Sequence, residues 1–135
     1  MNRARSFPYA PESAAAARRF AIEALADTPA DVLEAVELMV SELATNCIRH
    51  AHTAFSLALR YASGRLRVEV TDHSSGNPEM RSPGPDDPTG RGLQIVNMLS
   101  DDWGVDRTAE ARKTVWFTLT IPAMPSTQEA GAIAS

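Results

Sequence analysis

Three short stretches of this 135-residue chain carry side chains that could do chemistry together. In the first, Glu42, Asn46 and Arg49 recur at i, i+4 and i+7, which at 100° per residue places them within a helical stripe about 60° wide. A carboxamide oxygen is a hard ligand that suits hydrated Mg²⁺, and a carboxylate one turn away can orient or deprotonate a nucleophile. The second stretch, Val68-Glu69-Val70-Thr71-Asp72, reads as a strand that ends in an acid. Such a carboxylate can accept from an exocyclic amine, as adenine requires, and it can equally cap a turn through its own backbone. In the third, Gly90-Arg91-Gly92-Leu93 stands where a breaker-rich segment gives way to helical spacing. Glycines there let phosphate oxygens approach backbone N–H groups, and a helix N-terminus adds favourable partial charge.

Taken singly, none of the three is specific. Glu-x-x-x-Asn is common on solvated helix faces. The Gly-x-Gly run lacks the third glycine and preceding strand of a dinucleotide fold, and it lacks the Gly-Lys-Ser/Thr of a P-loop. Their meaning depends on the elements that hold them.

Those elements can be read from periodicity. Residues 1–10 carry Phe7, Pro8 and Tyr9, enough for a short edge strand or an arm. Pro11 suits the first position of a helix running to about Leu25, with Ala17, Phe20, Ala21, Ala24 and Leu25 as its buried stripe. Thr28-Pro29-Ala30-Asp31 combines an N-cap, a proline at N1 and an acid at N3, which starts a second, longer helix reaching about Ala51. Val32, Val36, Val40, Leu43 and Cys47 give that helix a core face, and the Glu42 stripe lies to one side of it.

From Thr53 the period changes to two. Phe55, Leu57, Leu59 and Tyr61 alternate along one strand, Leu66, Val68 and Val70 along the next, with Ser63-Gly64 as the turn of a hairpin. Between Asp72 and Gly90 the density of Pro and Gly excludes a regular element, leaving a long loop of the kind used as a lid. Arg91 to Leu99 is helical again, with Leu93, Val96 and Leu99 on one side, and residues 103–107 and 114–121 form two closing strands. The order implies a two-layer α/β (α+β) sandwich: helices on a mixed, mostly antiparallel sheet. One domain over residues 1–123 is expected, with a lid at about 77–89 and a frayed tail at 124–135.

Bulk properties exclude several classes. With 44% hydrophobic and 22% charged residues the chain can bury one core. A net charge of −4 opposes a phosphate-backbone footprint, so no direct nucleic-acid contact is expected. No apolar run approaches the roughly 20 residues of a membrane span, and Met1 to Pro8 lacks the order of a secretory signal. The single cysteine, Cys47, permits no internal disulfide and fits a reducing cytoplasm; on the core face it is expected to be inert. His50 and His52 flank a helix end, where exposure or a dipole interaction is favoured over metal binding, and His73 has no second ligand at metal spacing. Trp103 and Trp116 are expected in the core or at an interface.

In combination the motifs are specific. Glu42 to Ala51, a strand ending in Asp72, a Pro/Gly-rich lid, Gly90-Arg91-Gly92-Leu93-Gln94-Ile95-Val96, Trp103-Gly104-Val105 and Lys113-Thr114-Val115-Trp116-Phe117 together resemble the histidine-kinase-like ATPases of the Bergerat fold. Within that family the chain looks most like the short bacterial anti-sigma-factor serine/threonine kinases, over roughly residues 10–121. The resemblance implies ATP and Mg²⁺ as ligands. It implies Asn46 as the Mg²⁺ ligand, Glu42 as the acid/base group, and Arg49 beside them in the cofactor site. It implies Asp72 on the adenine amino group with Gly76 behind it, the run Gly90, Arg91, Gly92 and Leu93 at the phosphates, and Thr114 closing the adenine pocket. One departure stands out: the family's first loop commonly reads Asp-x-Gly-x-Gly, and here Ser74 takes the place of the first glycine.

Two functions follow from that resemblance. One is a kinase that phosphorylates an anti-sigma-factor antagonist and sequesters a sigma factor, often as a homodimer. At this length the phosphoacceptor helices of a sensor kinase and the further domains of a topoisomerase or chaperone are not expected. The other is a regulator that holds ATP, or no nucleotide, and controls a partner without phosphoryl transfer.

Overall fold

The computed structural model describes residues 1–73, 88–108 and 111–121. Its elements run β1 (Asn2–Phe7), α1 (Ser13–Ala24), α2 (Ala30–Asn46), a π-helical turn (Cys47–Ala51), β2 (Phe55–Ala62), β3 (Arg65–Asp72), α3 (Pro88–Leu99), β4 (Asp102–Thr108) and β5 (Arg112–Thr120). The strands form one sheet in the order β1-β2-β3-β5-β4, and every neighbouring pair is antiparallel. The expected mixed sheet is therefore corrected. β3 and β4 do run in the same direction, but β5 lies between them, so no two parallel strands touch.

Alternation dictates which face of the sheet is covered. Leu57, Leu59, Leu66, Val68, Val70, Val115, Phe117 and Leu119 are buried, while their sequence neighbours are mostly half-buried or exposed. Onto that face α1 brings Ala17, Phe20 and Ala21, α2 brings Val36, Met39, Val40, Leu43 and Ala44, and α3 brings Val96. Phe7 ends the edge strand β1 inside this core, stacked on Phe55 at 5.4 Å and edge-on to Phe20 at 6.1 Å. Burial of this apolar set drives the two layers together. The hairpin closes through Ser63 and Gly64, both at positive φ (55° and 77°), the backbone that a two-residue turn requires.

Several boundaries differ from expectation. α1 begins at Ser13, with Pro11 in the turn before it. Pro29 rather than Thr28 occupies the N-cap of α2: its carbonyl accepts from Leu33 N at 3.0 Å, while the Thr28 hydroxyl is buried and makes no hydrogen bond among the described residues. α3 starts at Pro88, earlier than Arg91, because a proline and a glycine are tolerated in the first turn, where backbone N–H groups have no helical partner anyway. Leu99, expected on the buried side, is 36% exposed at the last helical residue. No helix among the described residues is long and apolar enough to cross a membrane.

Candidate functional site

The last α-helical turn of α2 carries the first part of the site. Glu42 lies one turn before Asn46 and both leave the apolar stripe on the same side, as their spacing requires. Glu42 is buried at 9% exposure. The Asn46 Oδ1 is shielded from solvent and has no hydrogen-bond partner among the described residues. An acceptor held away from water without a donor is costly, on the order of 1–3 kcal/mol, so this oxygen is one that could hold a ligand.

Against this pair stands Gly92, within α3 and buried. A Cβ at Gly92 would lie 2.8 Å from the Asn46 Nδ2 and 3.6 Å from the Glu42 Cβ. The glycine is thus explained by close helix–helix approach: its missing side chain leaves room for the asparagine amide. The neighbouring Leu93 is half-buried and packs against the core.

Immediately after Asn46 the helix loosens into the π turn Cys47–Ala51 and ends at His52, which takes the left-handed conformation (φ 57°, ψ 37°). The π geometry changes the angular register of everything beyond Asn46. Arg49 therefore leaves the stripe computed for a uniform α-helix, and its side chain is exposed. Cys47 opens the turn facing inward at 4% exposure. Burial, reinforced by the negative charge of Asp72, pushes its thiol far above the ordinary range, so it stays protonated as a weak donor.

The second part of the site lies where β3 ends. Asp72 continues the inward alternation of Leu66, Val68 and Val70 and is 1% exposed. Its Oδ2 accepts from the Cys47 Sγ at 3.8 Å and faces the Lys113 Nζ at 3.5 Å. β5 pairs with β3 so that Lys113 stands opposite Asp72 and Thr114 opposite Thr71. Opposed residues share a face, so Thr114 projects to the other side of the sheet. There its Oγ1 lies 2.7 Å from the Thr71 Oγ1.

Site residues expected from the sequence are thus distributed unevenly. Glu42, Asn46 and Gly92 meet. Asp72 reaches the same end of the helical layer through Cys47, directly after Asn46. Thr114 lies behind the sheet, and Arg49 lies at the surface within the π turn. Gly90 and Arg91 fall in the early part of α3. Gly76, the substituted Ser74, most of the lid and the tail from 122 lie outside the described residues. Lys113 was not among the expected site residues. Its only signal is that it is the chain's single lysine and precedes Thr114.

The donor set fits Mg²⁺. Among the described residues no three His, Cys, Asp or Glu side chains converge as a closed metal cage. Mg²⁺, however, keeps most of its waters and is usually held by one or two protein oxygens together with substrate phosphates. The unpartnered Asn46 Oδ1 supplies one such oxygen.

A shallow recess of about 540 Å³ lies elsewhere, lined by Arg60, Arg67, Asp102, Trp116 and Thr118 among others. It occupies the uncovered face of the sheet, opposite Asp72. There Arg67 lies 4.3 Å from the Trp116 ring centroid, and that ring crosses Gly104, where a Cβ would come within 2.7 Å of it.

Residues 7–119 match the sequence profile of the histidine kinase-like ATPase domain. Among solved structures, the chain is similar to the RsbU and RsbW domains of a Mycobacterium tuberculosis protein, with a TM-score of 0.71 and 18% identity over 94% of this chain and 35% of that one. It is also similar to the blue-light activated histidine kinase of Erythrobacter litoralis, with a TM-score of 0.57 and 28% identity over 70% of this chain and 32% of that one. The histidine kinase domain of the latter protein gives a TM-score of 0.56 at 27% identity, over 71% of this chain and half of that one. A search of curated proteins returns no match. The chain spans about a third of the first two structures and half of the third.

Proposed function

Because the chain belongs to the histidine kinase-like ATPase domain family, we propose that it binds Mg²⁺-ATP between α2, α3 and the end of β3, and that it serves as an anti-sigma-factor serine/threonine kinase. The observation that carries the first half is the Asn46 Oδ1: a buried acceptor without a donor, one turn beyond a buried carboxylate and against a glycine that makes space for it. Bound there, Mg²⁺ supplies charge neutralisation for the transferring phosphate. Asn46 holds the metal. Glu42 takes the proton from an attacking serine hydroxyl, whose oxygen forms the new bond to the γ-phosphorus while the bond to the β-phosphate oxygen breaks and ADP leaves. Asp72 accepts from the exocyclic amine of the base.

The second half rests on the Lys113–Phe117 and Glu42–Ala51 motifs, which resemble those of anti-sigma-factor kinases, and on likeness of fold to a structure that contains an RsbW domain. On this reading the partners are an anti-sigma-factor antagonist and a sigma factor, and the site of action is the cytoplasm.

Calorimetric titration with ATP, with and without Mg²⁺, tests the reading. Wild type is expected to bind saturably and more tightly with Mg²⁺. Asn46→Ala should lose the Mg²⁺-dependent increment and keep the metal-free affinity, whereas Glu42→Ala should keep both and abolish ADP release. Absence of binding at millimolar ATP would overturn the proposal and move the chain to partner regulation without nucleotide.

A further inference from the structure

We propose that the free edge of β1 takes an extended acidic segment of a partner protein as a sixth strand, with carboxylates of that segment opposite Arg3 and Arg5. This inference rests on the sheet alone and stands apart from the nucleotide reading above.

β1 closes one side of the sheet, and its pairing with β2 runs through all six of its residues without a bulge. Met1 and Tyr61 exchange two backbone bonds: Tyr61 N donates to Met1 O at 2.8 Å, and Met1 N donates to Tyr61 O at 3.0 Å. In an antiparallel ladder, pairs that exchange both bonds alternate with pairs that exchange none. Arg3, Arg5 and Phe7 therefore turn their N–H and C=O groups towards β2. Asn2, Ala4 and Ser6 turn theirs away from it, as a row along the outer edge. Residues 2–6 are exposed.

Natural sheets guard such an edge with proline, lysine, a bulge or a very short strand. β1 has no proline, no lysine and no bulge, and it is six residues long. Its two charged side chains do not stand across the edge. Arg3 and Arg5 lie on the helix-covered face, opposite Leu59 and Leu57. Their guanidinium carbons sit 5.6 Å from the Phe20 ring centroid and 5.5 Å from that of Phe7. The outward groups belong to residues with short side chains, so an incoming backbone meets little obstruction.

What the edge accepts follows from charge. β1 holds two arginines and no acid, a local reversal in a chain of net charge −4. A second copy of this chain fits poorly. Two-fold pairing of β1 with itself, Ala4 against Ala4, sets Arg3 against Arg5, and like charges directly opposite each other destabilise a strand pair. An extended segment with carboxylates at alternate positions turns both oppositions into attractions, while its backbone pairs with the outward row. The arginine heads rest on aromatic faces, which leaves N–H groups at their margins for those carboxylates.

The test titrates the full chain with a fluorescent synthetic peptide of alternating glutamate and valine, read by anisotropy, and follows amide hydrogen exchange in the complex. Peptides with serine or arginine in place of glutamate are the controls. The glutamate peptide is expected to bind and to slow exchange at Ala4 and Ser6 more than at Arg3 and Arg5, whose amides already bond to β2. Ala4→Pro removes an outward donor at an edge position that tolerates proline, and should weaken binding at least about tenfold. Arg3→Gln with Arg5→Gln should lose about tenfold for the glutamate peptide, the worth of two cross-strand charge pairs, and should bind the glutamate and serine peptides alike. No binding of the glutamate peptide at millimolar concentration overturns the proposal, as does binding that Ala4→Pro leaves unchanged. Equal affinity of wild type for the glutamate and serine peptides overturns the acidic assignment. A wild-type dimer in sedimentation that Ala4→Pro dissociates also overturns it, by placing a second copy at this edge.

Discussion

The two faces of the β3–β5 pair, one residue apart in sequence, are built on different physics. On the covered face Asp72 and Lys113 form an ion pair that is almost closed to water on the acid side and stands over a buried thiol. On the open face Thr71 and Thr114 share a neutral hydrogen bond of 2.7 Å, and beyond them Arg67 lies over Trp116 and pairs with Glu69 at 2.8 Å. The first face has expensive contacts that are shielded from solvent on the acid side. The second has several inexpensive ones. Charge confined to a dry position is costly to desolvate, and such positions cluster at functional sites.

Substitutions can break this contrast. The largest effect is expected from Asp72→Ala, which removes the buried acid and leaves Lys113 without its partner: about 2–3 kcal/mol of stability lost in urea unfolding, below the full cost of a buried pair because the lysine reaches water. Gly92→Ala should cost about 2 kcal/mol, since a methyl 2.8 Å from the Asn46 amide forces that side chain or the helix to move. On the proposed function the same variant should weaken Mg²⁺-ATP binding more than metal-free binding, because the displaced group is the proposed oxygen ligand of the metal.

The buried thiol gives the covered face a dependence on alkali. An unfolded cysteine ionises near 9.0, whereas burial holds the folded Cys47 thiol protonated well above that. Below pH 9 its contribution is fully present. Above pH 9 the unfolded chain releases the proton first, so stability falls by up to about 1.4 kcal/mol per pH unit. Unfolding measured between pH 9 and 11 should show a shallower decline in Cys47→Ala than in wild type, and identical slopes would refute this.

Smaller effects are expected on the open face. Thr71→Val should cost about 1 kcal/mol by stranding the Thr114 hydroxyl, while Thr71→Val with Thr114→Val should cost less than the single change, since both partners are then removed. Neither variant should alter ATP affinity by as much as twofold, and a larger loss would return Thr114 to the base site. Arg67→Ala should cost least, about 0.5–1 kcal/mol, and less still at high salt.

Much of the architecture was legible because it depends on local pattern. The alternation in Phe55–Tyr61 and Leu66–Val70, the Ser63-Gly64 turn and the apolar stripe of α2 each imply an element and its buried face without reference to the rest of the chain. Helix ends were less legible. Thr28 and Pro29 are both plausible caps, and only the hydrogen bond from Leu33 to the Pro29 carbonyl separates them. Likewise no local signal announces the π turn at Cys47, which accommodates one residue more than an α-turn between Asn46 and the left-handed His52.

For the site, residue types and intervals in sequence determined that Glu42 and Asn46 share one side of a helix and that Asp72 faces inward at a strand end. Helical and strand periods are properties of a single segment, set by backbone sterics. The sequence could not decide what stands opposite Asp72, because Lys113 lies 41 residues further on (113 − 72) and reaches it only through the register of β3 with β5. Since side chains alternate with a period of two, a shift of one residue in that register exchanges Lys113 for Thr114 at the carboxylate. Helix-layer packing decided the rest: Gly92 became the clearance for Asn46, and the loss of α-helical phase at Cys47 left Arg49 exposed in the π turn. Such choices belong to the tertiary structure, because they depend on distances between segments whose separation along the chain carries no geometric information.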